Sequence, residues 1–149
     1  MTDRYQLHAS LGYQTTLFSR ISERRFEAVL SPLGLTRVTW CVLLAVGQEG
    51  LQYPSEIAAF IGIDRTATSR ALRKIEADGL VSRCNGRDDK RMTVVSITPM
   101  GKSRLADATK AAEENAAHYG AKLSWYERDM LSTILQKLME GETRDVSGL

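Results

Sequence analysis

Arg65, Thr66, Ser69, Arg70 and Arg73 recur at spacings of three and four, which gathers side chains on one side of a helix. At about 100° per residue, Ala67, Ala71 and Ile75 fall on the other side, with Leu72 at its flank. Ordinary solvated helix faces mix long acidic and basic side chains. Here short hydroxyls stand between arginines, with Thr68 counted among them. Such hydroxyls permit close approach to a groove and can donate to phosphates or base edges, while arginine can form two parallel bonds to guanine. Composition alone leaves a DNA-reading face and a solvated face both open.

A second concentration of charge lies in "RCNGRDDKRMTV", Arg83 to Val94, where cations and two adjacent aspartates surround an Asn-Gly pair. Turns favour Asn, Gly and Asp for backbone reasons, so a solvated hairpin tip is the plain reading. From Asp64 to Arg91 there are 8 Lys/Arg against 5 Asp/Glu, while the rest of the chain carries 12 against 13. The net charge of +2 is small, but its positive part is concentrated here.

The elements around these residues follow from periodicity and caps. Leu7 to Leu30 reads as a long amphipathic helix, ended by "SPLG". Thr36 caps an almost wholly apolar helix that Gly47 and Gly50 stop. "YPSEIAAFIGI" is a short helix with Pro54 in its first turn, although Tyr53 is a poor cap. Asp64 caps the next helix, which stops at Gly79, and only Gly62 and Ile63 join the two. "LVSRC" and "MTVVSI" make a β-hairpin over Leu80 to Ile97. Thr98 and Pro99 restart helix to Tyr119, and Ser124 caps a last helix to Gly141, after which the tail reads as frayed.

A helix-turn-helix followed by a basic hairpin and a further helix is the order of a winged helix. In that geometry the second helix enters the major groove, and the wing can place an Arg in the minor groove. The chain here resembles the MarR family of bacterial transcriptional regulators over almost its whole length. The resemblance rests on "SEIAAFIGIDRTATSRALRKIEADGLVSR" followed by "DKRMTVVSITPMG". Asp89, Arg91, Ile97, Thr98 and Gly101 match the family's wing pattern, with Ile97 in place of Leu. Tyr53 stands where many members have Thr or Ser, and the wing lacks a proline common there.

The resemblance implies a mainly α (α+β) fold: a winged helix-turn-helix lobe over 36–98, with 1–35 and 99–149 forming a helical dimerisation region of one domain. It implies a homodimer on a pseudo-palindromic double-stranded DNA site, most simply as a repressor. The candidate DNA-binding residues are Arg65, Thr66, Thr68, Ser69, Arg70 and Arg73 on the helix, with Arg87, Lys90 and Arg91 on the wing. Asp89 is expected to orient Arg91 by an ion pair.

Members of the family commonly respond to a small aromatic or phenolic anion bound between the lobe and the dimer helices. Phe18 and Trp40 are candidate pocket walls, with Arg20, Arg24 or Arg25 as carboxylate partners; a core role for the aromatics is the competing reading. Cys41 falls in the apolar helix and reads as buried and inert, whereas Cys84 adjoins Arg83, which keeps a redox-responsive regulator open. A winged-helix module used only for protein contacts is a further alternative, but it leaves the arginine and hydroxyl face unexplained. His8 and His118 are far apart and no Cys/His cluster has ligand spacing, so neither metal nor cofactor is expected.

Composition fits these readings. The 149 residues, 43% hydrophobic and 26% charged, are enough for one domain with its own core. The longest apolar run, Trp40 to Val46, is far short of the roughly 20 residues that span a bilayer. Two cysteines make no disulfide framework, and no signal-peptide pattern opens the sequence, so a cytoplasmic location is expected. No phosphate loop, nucleophile elbow or carboxylate–histidine cluster points to an enzyme.

Overall fold

The computed structural model describes residues 4–143. The elements run α1 (Leu11–Leu30), α2 (Arg37–Gly47), α3 (Pro54–Ile61), α4 (Arg65–Ala77), β1 (Val81–Asn85), β2 (Thr93–Ile97), α5 (Pro99–Gly120) and α6 (Trp125–Leu138). Most of the tail expected to fray beyond Gly141 lies outside the described residues.

α2 occupies the centre. Thr36 and Thr39 cap its start reciprocally: the Thr36 hydroxyl accepts from the Thr39 N–H at 3.2 Å, and Thr39 Oγ1 accepts from the Thr36 N–H at 2.8 Å. Its near-continuous apolar sequence then makes sense, because α3, α4, α5, β2 and α1 all pack around it. Val42, Leu43 and Ala45 are wholly buried.

α3 and α4 form the helix-turn-helix. Pro54 opens α3 without any side-chain cap from Tyr53. Gly62 closes it in the left-handed region at φ +80°, a conformation that favours glycine, and its N–H donates to the Ala58 carbonyl at 2.9 Å. The Asp64 carboxylate accepts the Ala67 N–H at 2.7 Å and starts α4.

β1 and β2 pair antiparallel, with Val81 opposite Ile97 and Arg83 opposite Val95. Val81 and Val95 enter the core. The Val95 N–H donates to the Gln52 carbonyl at 2.8 Å, which docks the sheet on the segment before α3. Thr98 links the hairpin to α5, accepting the Gly101 N–H at 3.0 Å and donating to the Gly79 carbonyl at 2.6 Å.

The first helix differs from expectation at its start. Leu7–Ala9 is a single 3-10 turn, and α1 begins only at Leu11 because Ser10 stays extended and its hydroxyl accepts from the Tyr13 N–H. Only Phe26 and Leu30 of α1 are buried. Ser124 and Glu127 cap α6 reciprocally, which lowers the Glu127 carboxyl below its ordinary range. No residue of α6 is buried: Leu131 is 44% exposed and Ile134 46%. No single helix among the described residues is long and apolar enough to cross a membrane.

Gly101 sits where a Cβ would overlap the Leu80 backbone carbonyl and press on Ile97. Alanine normally favours a helix over glycine, but here the clash dominates. Gly101→Ala is expected to lower stability by about 1–3 kcal/mol in urea unfolding.

Candidate nucleic-acid interface

α4 divides its side chains between two environments. Thr68, Ala71, Leu72 and Ile75 face α2 and α3 and are buried. Arg65, Thr66, Arg70 and Arg73 are exposed on the other side, with Ser69 half-buried between them. The Arg73 guanidinium donates to Ser69 Oγ at 3.4 Å, so two of these groups are already aligned along the stripe. Their spacing keeps Arg65, Ser69 and Arg73 on successive turns.

Thr68 corrects the sequence reading. It is 1% exposed, and its hydroxyl donates to the Asp64 carbonyl one turn back at 2.9 Å. A side chain so enclosed and already hydrogen-bonded has no access to a groove. It belongs to the core of the lobe.

The wing loop runs from Gly86 to Met92, with Arg87, Lys90 and Arg91 all exposed. Asn85 still pairs with Thr93, and the Gly86 N–H donates to the Met92 carbonyl at 2.7 Å. The Asn-Gly pair therefore closes the ladder, while the chain reverses farther out, where the Met92 N–H reaches the Asp89 carbonyl at 3.0 Å. A Cβ on Gly86 would come within 2.8 Å of the Asp89 carbonyl oxygen, so the residue type is set by this close approach.

Asp89 is the second correction. Its Oδ1 accepts the backbone N–H of Arg91 at 2.9 Å, and the pair makes no ion bridge. An Asx turn of this kind shapes the loop through the backbone and leaves the Arg91 guanidinium free to point outward. Spacing of two residues suits either geometry.

Between α4 and the wing lies an open groove of about 370 Å³ lined by Tyr53, Pro54, Ser55, Arg65, Ser69, Met92 and Thr93. The sequence reading found Arg65 and Ser69 but not the other five. The sequence marks Tyr53 as a poor cap and as a departure from the family's Thr or Ser. Its side chain lines the groove instead, and the exposed Met92 contributes an apolar wall opposite the hydroxyls. A cation and hydroxyls beside apolar surface suit a sugar-phosphate strand.

The two aromatic residues proposed as pocket walls are not brought face to face. Phe18 is half exposed and packs edge-on against Tyr119 of α5, with ring centroids 5.4 Å apart. Trp40 packs edge-on against Phe26 at 5.0 Å. Both pairs lie along the α1 seam, about two helical turns apart. The Trp40 indole N–H and the Asn115 Oδ1 are buried without hydrogen-bond partners. Arg25 and Lys122 lie near His118, which loss of hydration and those two cations hold below its ordinary range.

Residues 33–92, which span the helix-turn-helix and the wing loop, match the MarR family. Over this lobe the chain is similar to MarR-family proteins. YdgJ of Bacillus subtilis (strain 168), an uncharacterised HTH-type transcriptional regulator, is 28% identical over 130 residues, covering 87% of this chain and 77% of its own. Bordetella bronchiseptica BpsR, whose DNA binding is regulated by 6-hydroxynicotinic acid, superposes with a TM-score of 0.85 at 18% identity, covering 94% of this chain and all of that one. A mutant E. coli MarR complexed with operator DNA gives 0.81 at 22%, covering 93% and 99%. The winged-helix architecture with long flanking helices is thereby shared with these two structures.

The two cysteines differ in exposure. Cys84 is exposed on β1, whereas Cys41 is half-buried in α2 and desolvation raises its thiol above the ordinary range, outweighing Arg37. A maleimide probe at neutral pH is expected to label Cys84 at least about tenfold faster than Cys41. Equal rates in Cys41→Ser and Cys84→Ser proteins would contradict this placement.

Proposed function

We propose that this protein is a cytoplasmic, sequence-specific DNA-binding repressor that acts as a homodimer on a pseudo-palindromic double-stranded site. The observation that carries the reading is the outward stripe of exposed Arg65, Thr66, Arg70 and Arg73, with half-buried Ser69 between them, beside a cationic wing. α4 enters the major groove, where Arg70 and Arg73 read base edges and Thr66 and Ser69 allow close approach. Arg91 lies along the minor groove or its phosphates, and Arg65, Arg87 and Lys90 hold the backbone. Operator binding by the structurally similar E. coli MarR supports this assignment.

Dimerisation is supported by α6, which packs on no other element extensively and exposes Met130, Leu131, Ile134, Leu135 and Leu138. An apolar stripe of that length is stable in water only when covered. Leu7, Leu11, Leu17 and Ile21 extend the same kind of surface on the N-terminal segment. Replacing Leu131 and Ile134 together by Glu is expected to give a monomer in sedimentation analysis; an unchanged dimer would remove α6 from the interface.

A small aromatic anion is the proposed effector. The support is the buried, unpartnered Trp40 N–H and Asn115 oxygen, with Arg25 and Lys122 gathered around His118, one helical turn along α5 from Asn115. BpsR, of similar fold, responds to an aromatic acid.

DNA affinity is expected to fall steeply with salt, because each neutralised phosphate releases counterions. Arg73→Ala should cost roughly 1–3 kcal/mol and relax preference at one base position, while Lys90→Ala weakens all sequences alike. Salt-insensitive binding would overturn the phosphate contacts and with them the DNA-binding reading, whereas uniform losses from both changes would overturn the base-reading assignment.

A further inference from the structure

The exposed face of α4 ends in an anomaly. Glu76 places a carboxylate on the helix proposed to enter DNA, where a negative charge is repelled by phosphate. Its partner is across the turn: Arg83, in the middle of β1, donates from Nε to Glu76 Oε2 at 2.7 Å, and its Nη2 contacts the same oxygen. Both side chains are about two-thirds covered, at 29% and 35% exposure, so salt screens the pair less than it would an open surface bridge. Among the described residues, it is the only ion pair joining a helix to the wing.

Geometry gives the pair leverage. α4 and β1 are joined by Asp78, Gly79 and Leu80, with Gly79 at φ +74° and the Leu80 N–H returning to the Ile75 carbonyl at 2.8 Å. The Glu76–Arg83 bond spans this turn and triangulates it. The other ties of the hairpin, from Thr98 to Gly79 and from Val95 to Gln52, lie at its base or on β2. Arg91 stands roughly 10 Å beyond Arg83 along the hairpin. A tilt of about 10° at the turn would thus move Arg91 by roughly 2 Å or more, beyond what a hydrogen bond tolerates.

We propose that Glu76 and Arg83 are a positioning pair that fixes the wing's angle to α4, so that wing and helix meet adjacent grooves of one site simultaneously. The assignment rests on the DNA-binding reading above. It gives the carboxylate a role on a DNA-facing helix: its interaction is with the wing. Neither residue need touch a base for the pair to affect specificity.

The test uses the opposite signs of the two effects. Glu76→Gln removes a negative charge, which by electrostatics alone tightens binding to every duplex. Loss of positioning instead weakens the site selected from a random pool by about tenfold, while affinity for unrelated duplex stays equal or rises. Hydroxyl-radical protection under the wing should fade, and guanine N7 protection in the major groove should persist. The double exchange Glu76→Arg with Arg83→Glu keeps the net charge and should restore both affinity and protection.

Full-length wild-type protein is measured alongside. If Glu76→Gln binds the selected site as tightly as wild type or tighter, the proposal is overturned. If that variant does not fold, the exchange decides: a folded exchange protein lacking wing protection overturns it, and restored protection supports it. A wild-type protein that selects no site would instead sink the DNA-binding reading, and this assignment with it.

Discussion

The arrangement depends on how α4 is seated. Thr68, Ala71, Leu72 and Ile75 are committed to the interior, and the Thr68 hydroxyl is satisfied by the Asp64 carbonyl, so no polar cost opposes that seating. A rotation of the helix by one residue would expose Leu72 and bury an arginine. The identity of the side chains offered outward is therefore fixed by packing inward. The left-handed Gly62 and the Asp64 cap then set where the stripe begins.

α2 carries that seating to the remainder of the molecule. It packs against α4 on one side, while Trp40 meets Phe26 of α1 on another. Its start is held firmly: Glu27 accepts the Arg37 N–H at 2.7 Å, and Arg104 of α5 donates to the Leu33 carbonyl just before it. The corner made by α1, α2 and α5 is thus about one helix diameter, roughly 10 Å, from α4. A ligand ordering Trp40 would act on the same helix that supports α4. It would shift the balance only by its difference in affinity for two settings of that corner.

Much of this was legible in the sequence because it depends on local chemistry. Thr36, Asp64, Thr98 and Ser124 all cap the helices that their positions suggested, and the glycines at 62 and 79 end helices in the left-handed region. What escaped needed direction in space. Thr68 was read by residue type, yet at about 100° per residue it lies between Ile75 and Leu72, on the buried side. Asp89 and Arg91 have a spacing equally suited to an ion pair and an Asx turn, and only the loop's path separates them. Ser10 could equally have continued a helix. The groove beside Tyr53 joins residues from three distant segments, and no local pattern announces such a meeting.

Association and geometry are linked through α6. A helix of 14 residues with no packed face is marginal on its own in water, so a partner stabilises its conformation as well as covering it. In the homodimer we propose, the same apolar stripe would set the distance between the two α4 helices, and hence the spacing of the two half-sites. Folding of the long-helix region, dimerisation and half-site spacing would then share one set of contacts. A substitution there would change stability and operator preference together, whereas a substitution on the outer stripe of α4 would change preference while leaving the core untouched. That separation follows from burial: Leu131 and Ile134 are left about half exposed among the described residues, while Arg70 and Arg73 face away from neighbours that α4 already has.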